Sequence, residues 1–189
     1  MNLVDVSVFT AEAATRIAGA PNATLRQELM GTFREFFVWS GSYLARTNPI
    51  DIIANQREYT LPAPTSSNIL TTYAALVDDR QVRFTGTPIP GTIALHIKYP
   101  EDKPDALVGI VAIKPQDYSL VPEDTVTYDF DTILDGLCGR MYNMPDKPWT
   151  NTVQARYHLR RFRSGMGQAR VRVRSLYTTA DAGWRYPPW

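Results

Sequence analysis

The sequence predicts an α+β fold: a helical bundle of three to four helices with an inserted small antiparallel β-sheet and an extended C-terminal arm. Three observations carry this. Nine of the fourteen prolines lie between Pro49 and Pro122, and residues 22–48, 123–144 and 149–186 contain none. Proline is costly inside a helix and is confined to edges, bulges and turns of a sheet, so three windows can hold long helices around a proline-punctuated β middle. Inside the windows apolar residues recur at helical spacing, and between them they alternate. The expected layout is one domain over 1–176, with helices over about 10–47, a β insertion over about 57–121 and helices over about 124–166. An arm over 177–189 follows. A chain of 189 residues, 44% of them apolar, is long enough for one such domain with its own core.

The elements follow in order. A short helix over about 10–18 ends near Gly19-Ala20-Pro21. After Pro21 and Asn22, Leu25, Leu29, Phe33, Phe36, Ser40 and Tyr43-Leu44 keep helical spacing. Phe37, Val38 and Trp39 widen the apolar face until this helix is expected to be buried on most sides. In the middle, "REYTLP" reads as a short strand stopped by Pro62. "ILTTYAALV" and "QVRF" flank Asp78-Asp79-Arg80, a hairpin turn, and Pro88-Ile89-Pro90-Gly91 turns into "TIALHIKYP". With "ALVGIVAIKP" these make a sheet of four or five strands.

A further helix carries Val126, Phe130, Ile133-Leu134, Leu137 and Met141 on one face, until Pro145 blocks it. Asp146 reads as the N-cap of the next helix and Pro148 falls in its first turn, where no backbone N–H is missed. Pro145, Asp146, Pro148 and Trp149 thus form an αα corner, with the Trp149 indole packing across both helices. The last helix runs from about 147 to 165 with Thr152, Ala155, Leu159, Phe162 and Met166 as its apolar stripe, and Gly165-Met166-Gly167 weakens or ends it. Arg170 to Arg174 then alternates with valine as an exposed strand would, a helical continuation being the alternative.

No constellation of catalytic or ligand type accompanies this pattern. His96, His158 and Cys138 are isolated from one another in sequence, so no metal or cofactor is expected. No serine sits in a GxSxG elbow, and no phosphate-binding glycine loop is present. Asp78-Asp79, Glu101-Asp102 and Asp129/Asp131 fall in turns or at a helix start, where solvated carboxylates belong. The chain is expected not to be an enzyme. One cysteine suits a reducing compartment, Met1 to Asp5 lack the pattern of a signal peptide, and no apolar run approaches the ~20 residues that span a bilayer.

Charge is the informative signal. Net charge is +1, yet residues 147–180 hold eight basic groups and no acid, leaving −7 for the remainder. Soluble surfaces usually intersperse both signs. A solvated helix face is the simplest explanation of the run. Arg156, Arg160, Arg163, Arg170, Arg172 and Arg174 otherwise point to an acidic protein surface or, alternatively, to a nucleic-acid-binding surface over 156–174. Near the terminus, Trp184, Tyr186 and Trp189 with Pro187-Pro188 form either a segment folded on its own domain or, as read here, a stiff arm whose aromatics anchor in a neighbour.

The order of these parts resembles a known family. An N-terminal helix pair, an "EYTLP" strand opening a β insertion, and "LDGLCGRMYNMPDKPWTN" leading into a basic helix with a "YHLRRF" core look like the head-to-tail adaptor (connector or neck) proteins of tailed bacteriophages. The resemblance covers roughly residues 24–162, and the "MPDKPWTN" corner is its most telling piece. It implies a non-enzymatic homo-oligomeric ring, commonly a dodecamer, in the neck of the virion and made in the host cytoplasm. Its partners would be further copies of itself, the portal protein and tail or other neck proteins. Genome DNA would pass through the lumen without sequence-specific contact, and no membrane is implied.

Overall fold

The structure, a computed structural model, describes residues 2–177. Among these residues there are five helices and ten strands, nine of the strands running consecutively between the second and third helices. They are β1 (Leu3–Asp5), α1 (Ser7–Arg16), α2 (Asn22–Ser40), β2 (Leu44–Arg46), β3 (Ile50–Ile52), β4 (Glu58–Thr60), β5 (Ser67–Val77) and β6 (Arg80–Val82). There follow β7 (Phe84–Gly86), β8 (Thr92–Leu95), β9 (Lys103–Pro115), β10 (Leu120–Pro122), α3 (Glu123–Tyr128), α4 (Phe130–Tyr142) and α5 (Thr152–Tyr177).

This is a sheet-rich α+β fold, which corrects the expected helical bundle with one small inserted sheet. Three antiparallel sheets form: β2-β9-β5-β6 with β3 also on β9, β4-β8-β7, and β1-β10. The largest curls into a half-barrel, and register shifts between Ile69 and Thr71 and between Thr72 and Ala74 supply bulges that increase its twist. The proline map excluded helices from the middle correctly but could not count strands. Four of the three-residue strands, β1, β2, β3 and β10, lie at or beyond the margins of the expected insertion, where so few residues show no period. Hairpin chemistry was legible. Val77 pairs with Arg80 across Asp78 and Asp79, which both take positive φ (51° and 60°), the two-residue turn that matches strand twist.

Helix α2 organises the core. Leu25, Leu29, Phe33, Phe36 and Phe37 are fully buried along it. Phe33 meets Phe9 of α1 edge-on at 5.2 Å, Phe37 meets Tyr43 and Tyr118 at 5.0 and 5.9 Å, and Phe36 reaches Phe162 of α5 at 6.4 Å. The helix stops at Gly41, in the left-handed region with φ 66°, whose N–H bonds Phe37 O at 2.9 Å. Tyr43 and Leu44 therefore leave the helix that their spacing suggested, and Leu44 begins β2. The next expected helix divides at Asp129 into α3 and α4. Helices α1 and α5 each pack on both α2 and α4.

Helix α5 is longer than expected. It begins at Thr152, with Asn151 Oδ1 accepting the Gln154 N–H at 3.1 Å, so Asn151 and not Asp146 is the cap. It continues through both glycines to Tyr177, so Arg170 to Arg174 is helical and not a strand. Close packing outweighs the propensity cost at Gly165. A Cβ there would overlap the Thr132 side chain of α4. Gly136 and Gly139 of α4 give the same intimacy from the other side, against Phe162 and Leu159. Tyr177, assigned to the arm, is the last described residue and lies in this helix.

Candidate functional site

At about 100° per residue, the seven arginines of α5 do not share one face. Arg156, Arg160, Arg163, Arg170 and Arg174 fall on one flank of the buried stripe formed by Ala155, Phe162, Met166, Ala169 and Val173. Arg161 and Arg172, eleven positions apart, fall on the other. The sequence reading set Arg156, Arg160 and Arg163 along one side of the helix, but it counted Arg172 in the same interaction surface.

The second flank reaches back to buried carboxylates, although the Arg161 side chain itself stays 53% exposed and that of Arg172 36%. Asp135, almost wholly buried in α4, accepts from Arg161 Nε at 2.8 Å and from His158 Nδ1 at 2.7 Å. Arg161 also donates to Tyr157 Oη at 2.8 Å. Asp129, equally buried at the α3–α4 break, accepts from Arg172 at 2.5 Å, and the guanidinium lies over the Tyr128 ring at 5.2 Å. Burial pushes the Asp129 carboxyl above its ordinary value, and the Arg172 hydrogen bond pulls the other way. Arg172, proposed from sequence as an interaction residue, therefore holds α5 to the α3–α4 break.

The Asp135–His158 pair has the arrangement of an oriented base. Its carboxylate is shared with Arg161, however, and the imidazole stacks on Tyr142 at 5.6 Å. The Cys138 thiol is buried and pushed up to about 11 by that burial, which makes it a poor thiolate. Among the described residues no cluster of three or more metal-ligating side chains occurs, and no helix is long and apolar enough to cross a membrane.

The first flank faces outward. Its five arginines are exposed, and Arg156, Arg160, Arg163 and Arg170 make no hydrogen bond or ion pair among the described residues. Exposed Val153, Tyr157 and Val171 border the row. Beside it, Trp39 of α2 is 62% exposed and Val38 43% exposed, contrary to the expectation that α2 is buried on most sides. Trp39 and Glu35 of α2 with Arg163, Met166, Gly167 and Arg170 of α5 line a groove of about 500 Å³. It continues past Trp39 and Arg170 to Gly41, Leu70, Thr71, Tyr73 and Arg174. Trp39 is the residue that sequence reading missed. One large side chain at the edge of an apolar stripe does not say whether a neighbouring element reaches it.

The corner has the expected place but different chemistry. Asp146 takes a positive φ of 54°, and Pro145, Asp146, Pro148 and Trp149 all lie between the helices. Thr150 fastens the turn, accepting from Lys147 N at 2.9 Å and donating to Met144 O at 2.5 Å. Asn151 N reaches Tyr142 O at 2.9 Å. Trp149 is half-buried against the core, with its Nε1 enclosed and without a hydrogen-bond partner. Trp184, Tyr186 and Trp189 lie outside the described residues. Comparison with protein-family models and with curated proteins finds no match to this chain.

Proposed function

We propose that this chain is a structural assembly component, a head-to-tail adaptor subunit that forms a ring beneath the portal and joins capsid to tail. The observation that carries the reading is the outward arginine row of α5 together with its counterpart around α1. Around α1 and the β1–β10 pair lie the exposed acids Asp5, Asp117, Glu123 and Asp131, with Leu3, Val8 and Leu120 exposed nearby; Arg16 pairs with Asp131 at 3.9 Å, and Arg26 acts on Asp5 and Asp117. Each side thus offers apolar side chains beside charge, basic along the α5 row and predominantly acidic around α1 despite Arg16 and Arg26, a complementarity that interfaces use. Contacts between two different patches on identical subunits are head-to-tail. They close into rings when the rotation allows and otherwise run on as filaments. In this reading the chain is non-enzymatic, sits in the virion neck, and meets the genome only as it passes through the lumen.

The test is the mass of the purified full chain and its class averages by electron microscopy. Wild type should form closed rings. Reversing Arg156, Arg160 and Arg163 to glutamate should leave a folded monomer. Combining that variant with Asp131→Lys and Glu123→Lys should recover assembly in part. A second reading rests on the length of the row, which spans about 27 Å from Arg156 to Arg174 at 1.5 Å per residue and could track a phosphate backbone. Tight DNA binding by the wild-type monomer that weakens steeply with salt, and is lost in the triple reversal, would favour that reading and overturn the first.

A further inference from the structure

The groove between α2 and α5 is built unlike the rest of the arginine flank. Its floor is Met166 and its rim Trp39, and a Cβ placed on Gly167 would meet nothing within 4 Å. So large an indole, 62% exposed beside a glycine, leaves an apolar notch on an otherwise charged helix face. Arg163 and Arg170 stand two turns apart on its border with no ion pair among the described residues. The one carboxylate in the lining, Glu35, is already held by Arg140 at 2.7 Å, so it does not answer the arginines.

We propose that this groove is a docking site for an acidic protein segment, one large apolar side chain of which seats on Gly167 and Met166 against Trp39. Carboxylates on either side of that anchor pair with Arg163 and Arg170. An aromatic anchor in a small pocket with charge around it is how short segments gain most of their affinity. Charge fixes the sign of the partner: an apolar or basic segment would leave two arginines unanswered at the rim. The inference stands on the groove and does not depend on ring formation, which is read separately by particle mass.

The experiment is selection of a random twelve-residue peptide library on the immobilised full chain. Selected peptides are synthesised and their affinities measured by fluorescence polarisation. Enriched peptides should be net acidic with a single bulky apolar residue. Gly167→Leu, whose Cβ meets nothing within 4 Å and whose side chain occupies the notch, should weaken them at least tenfold at an unchanged or raised melting temperature. Arg163→Ala with Arg170→Ala should do the same by removing the rim charges. The proposal is overturned if no peptide enriches, if the enriched peptides are neutral or basic, or if they bind the Gly167→Leu variant as well as wild type. Enrichment only on a chain ending at Tyr177 would assign the groove to residues 178–189 of the chain itself, and the proposal would also fail.

Discussion

The two flanks of α5 carry the same side chain to opposite ends. Arg161 and Arg172 lie along the seam with α3 and α4, where Asp135 and Asp129 are buried and would be costly without a cation. Arg156, Arg160, Arg163 and Arg170 face outward and are answered by nothing in the described subunit. What separates the sets is angular position on one helix, not residue type or local sequence. The inward pair secures tertiary packing, whereas the outward row is available to a partner. The comparison also explains why the basic run is acid-free. The carboxylates that half of an ordinary salt-bridged helix would carry are supplied by neighbouring helices on one flank, and on the other are absent.

The division can be broken most sharply at Arg172. Arg172→Ala leaves the Asp129 carboxylate buried and alone, and should cost about 2 kcal/mol by denaturant melting, the arginine's partial exposure reducing the larger penalty of a fully buried pair. An unchanged midpoint would mean that water reaches Asp129 and the inward flank has no special role.

Next comes the seam itself. Gly165→Ala, which overlaps Thr132, should destabilise by about 1–2 kcal/mol despite its better helix propensity. Gly167→Ala, on the open flank, should instead stabilise by about 0.5–1 kcal/mol. The opposite signs at positions two residues apart are the test; equal effects would show that the flanks are not packed differently.

A smaller effect is expected with pH. The Asp129 carboxyl lies above its ordinary value in the folded chain, so between that value and the ~3.9 of an unfolded aspartate the folded state binds more proton. Its contribution to stability therefore grows as pH falls through this window and is lost as pH rises. Paired melts of wild type and Asp129→Asn should show the difference moving in favour of wild type on acidification, and a pH-independent difference would refute it.

Least of all should be lost at Arg161 and Arg170. Arg161→Ala leaves His158 on Asp135 and should lower the melting midpoint less than Arg172→Ala does. Arg170→Ala should barely move it, while weakening partner binding. If Arg170→Ala proved the more destabilising of the two, the assignment of flanks would be reversed.

Much of this was legible because it is local. Proline placement excluded helices from the middle of the chain, and Asp78-Asp79-Arg80 marked a hairpin turn, which the structure tightens to Asp78-Asp79 with Arg80 paired in β6. The apolar spacing of Leu25, Leu29, Phe33 and Phe36 marked a buried helix face, and the corner after Met141 was placed correctly between two helices. The arginine division was also encoded, in an eleven-residue offset that repeats after three turns. Other features depended on partners distant in sequence. Gly165 breaks helices by propensity, yet Thr132 needs its missing side chain, so α5 runs through it. The three-residue strands β1, β2 and β3 have no period to read, and they form where β10 and β9 offer them a ladder. Trp39 is apolar in sequence and exposed in the fold because α5 stops short of covering it. Sequence by itself determined where helices could lie, where the chain turned and which residues were basic. Tertiary structure alone decided how many strands paired, which glycines were contacts and which flank of α5 met buried carboxylates, because each of those depends on what a distant segment brings within a few ångströms.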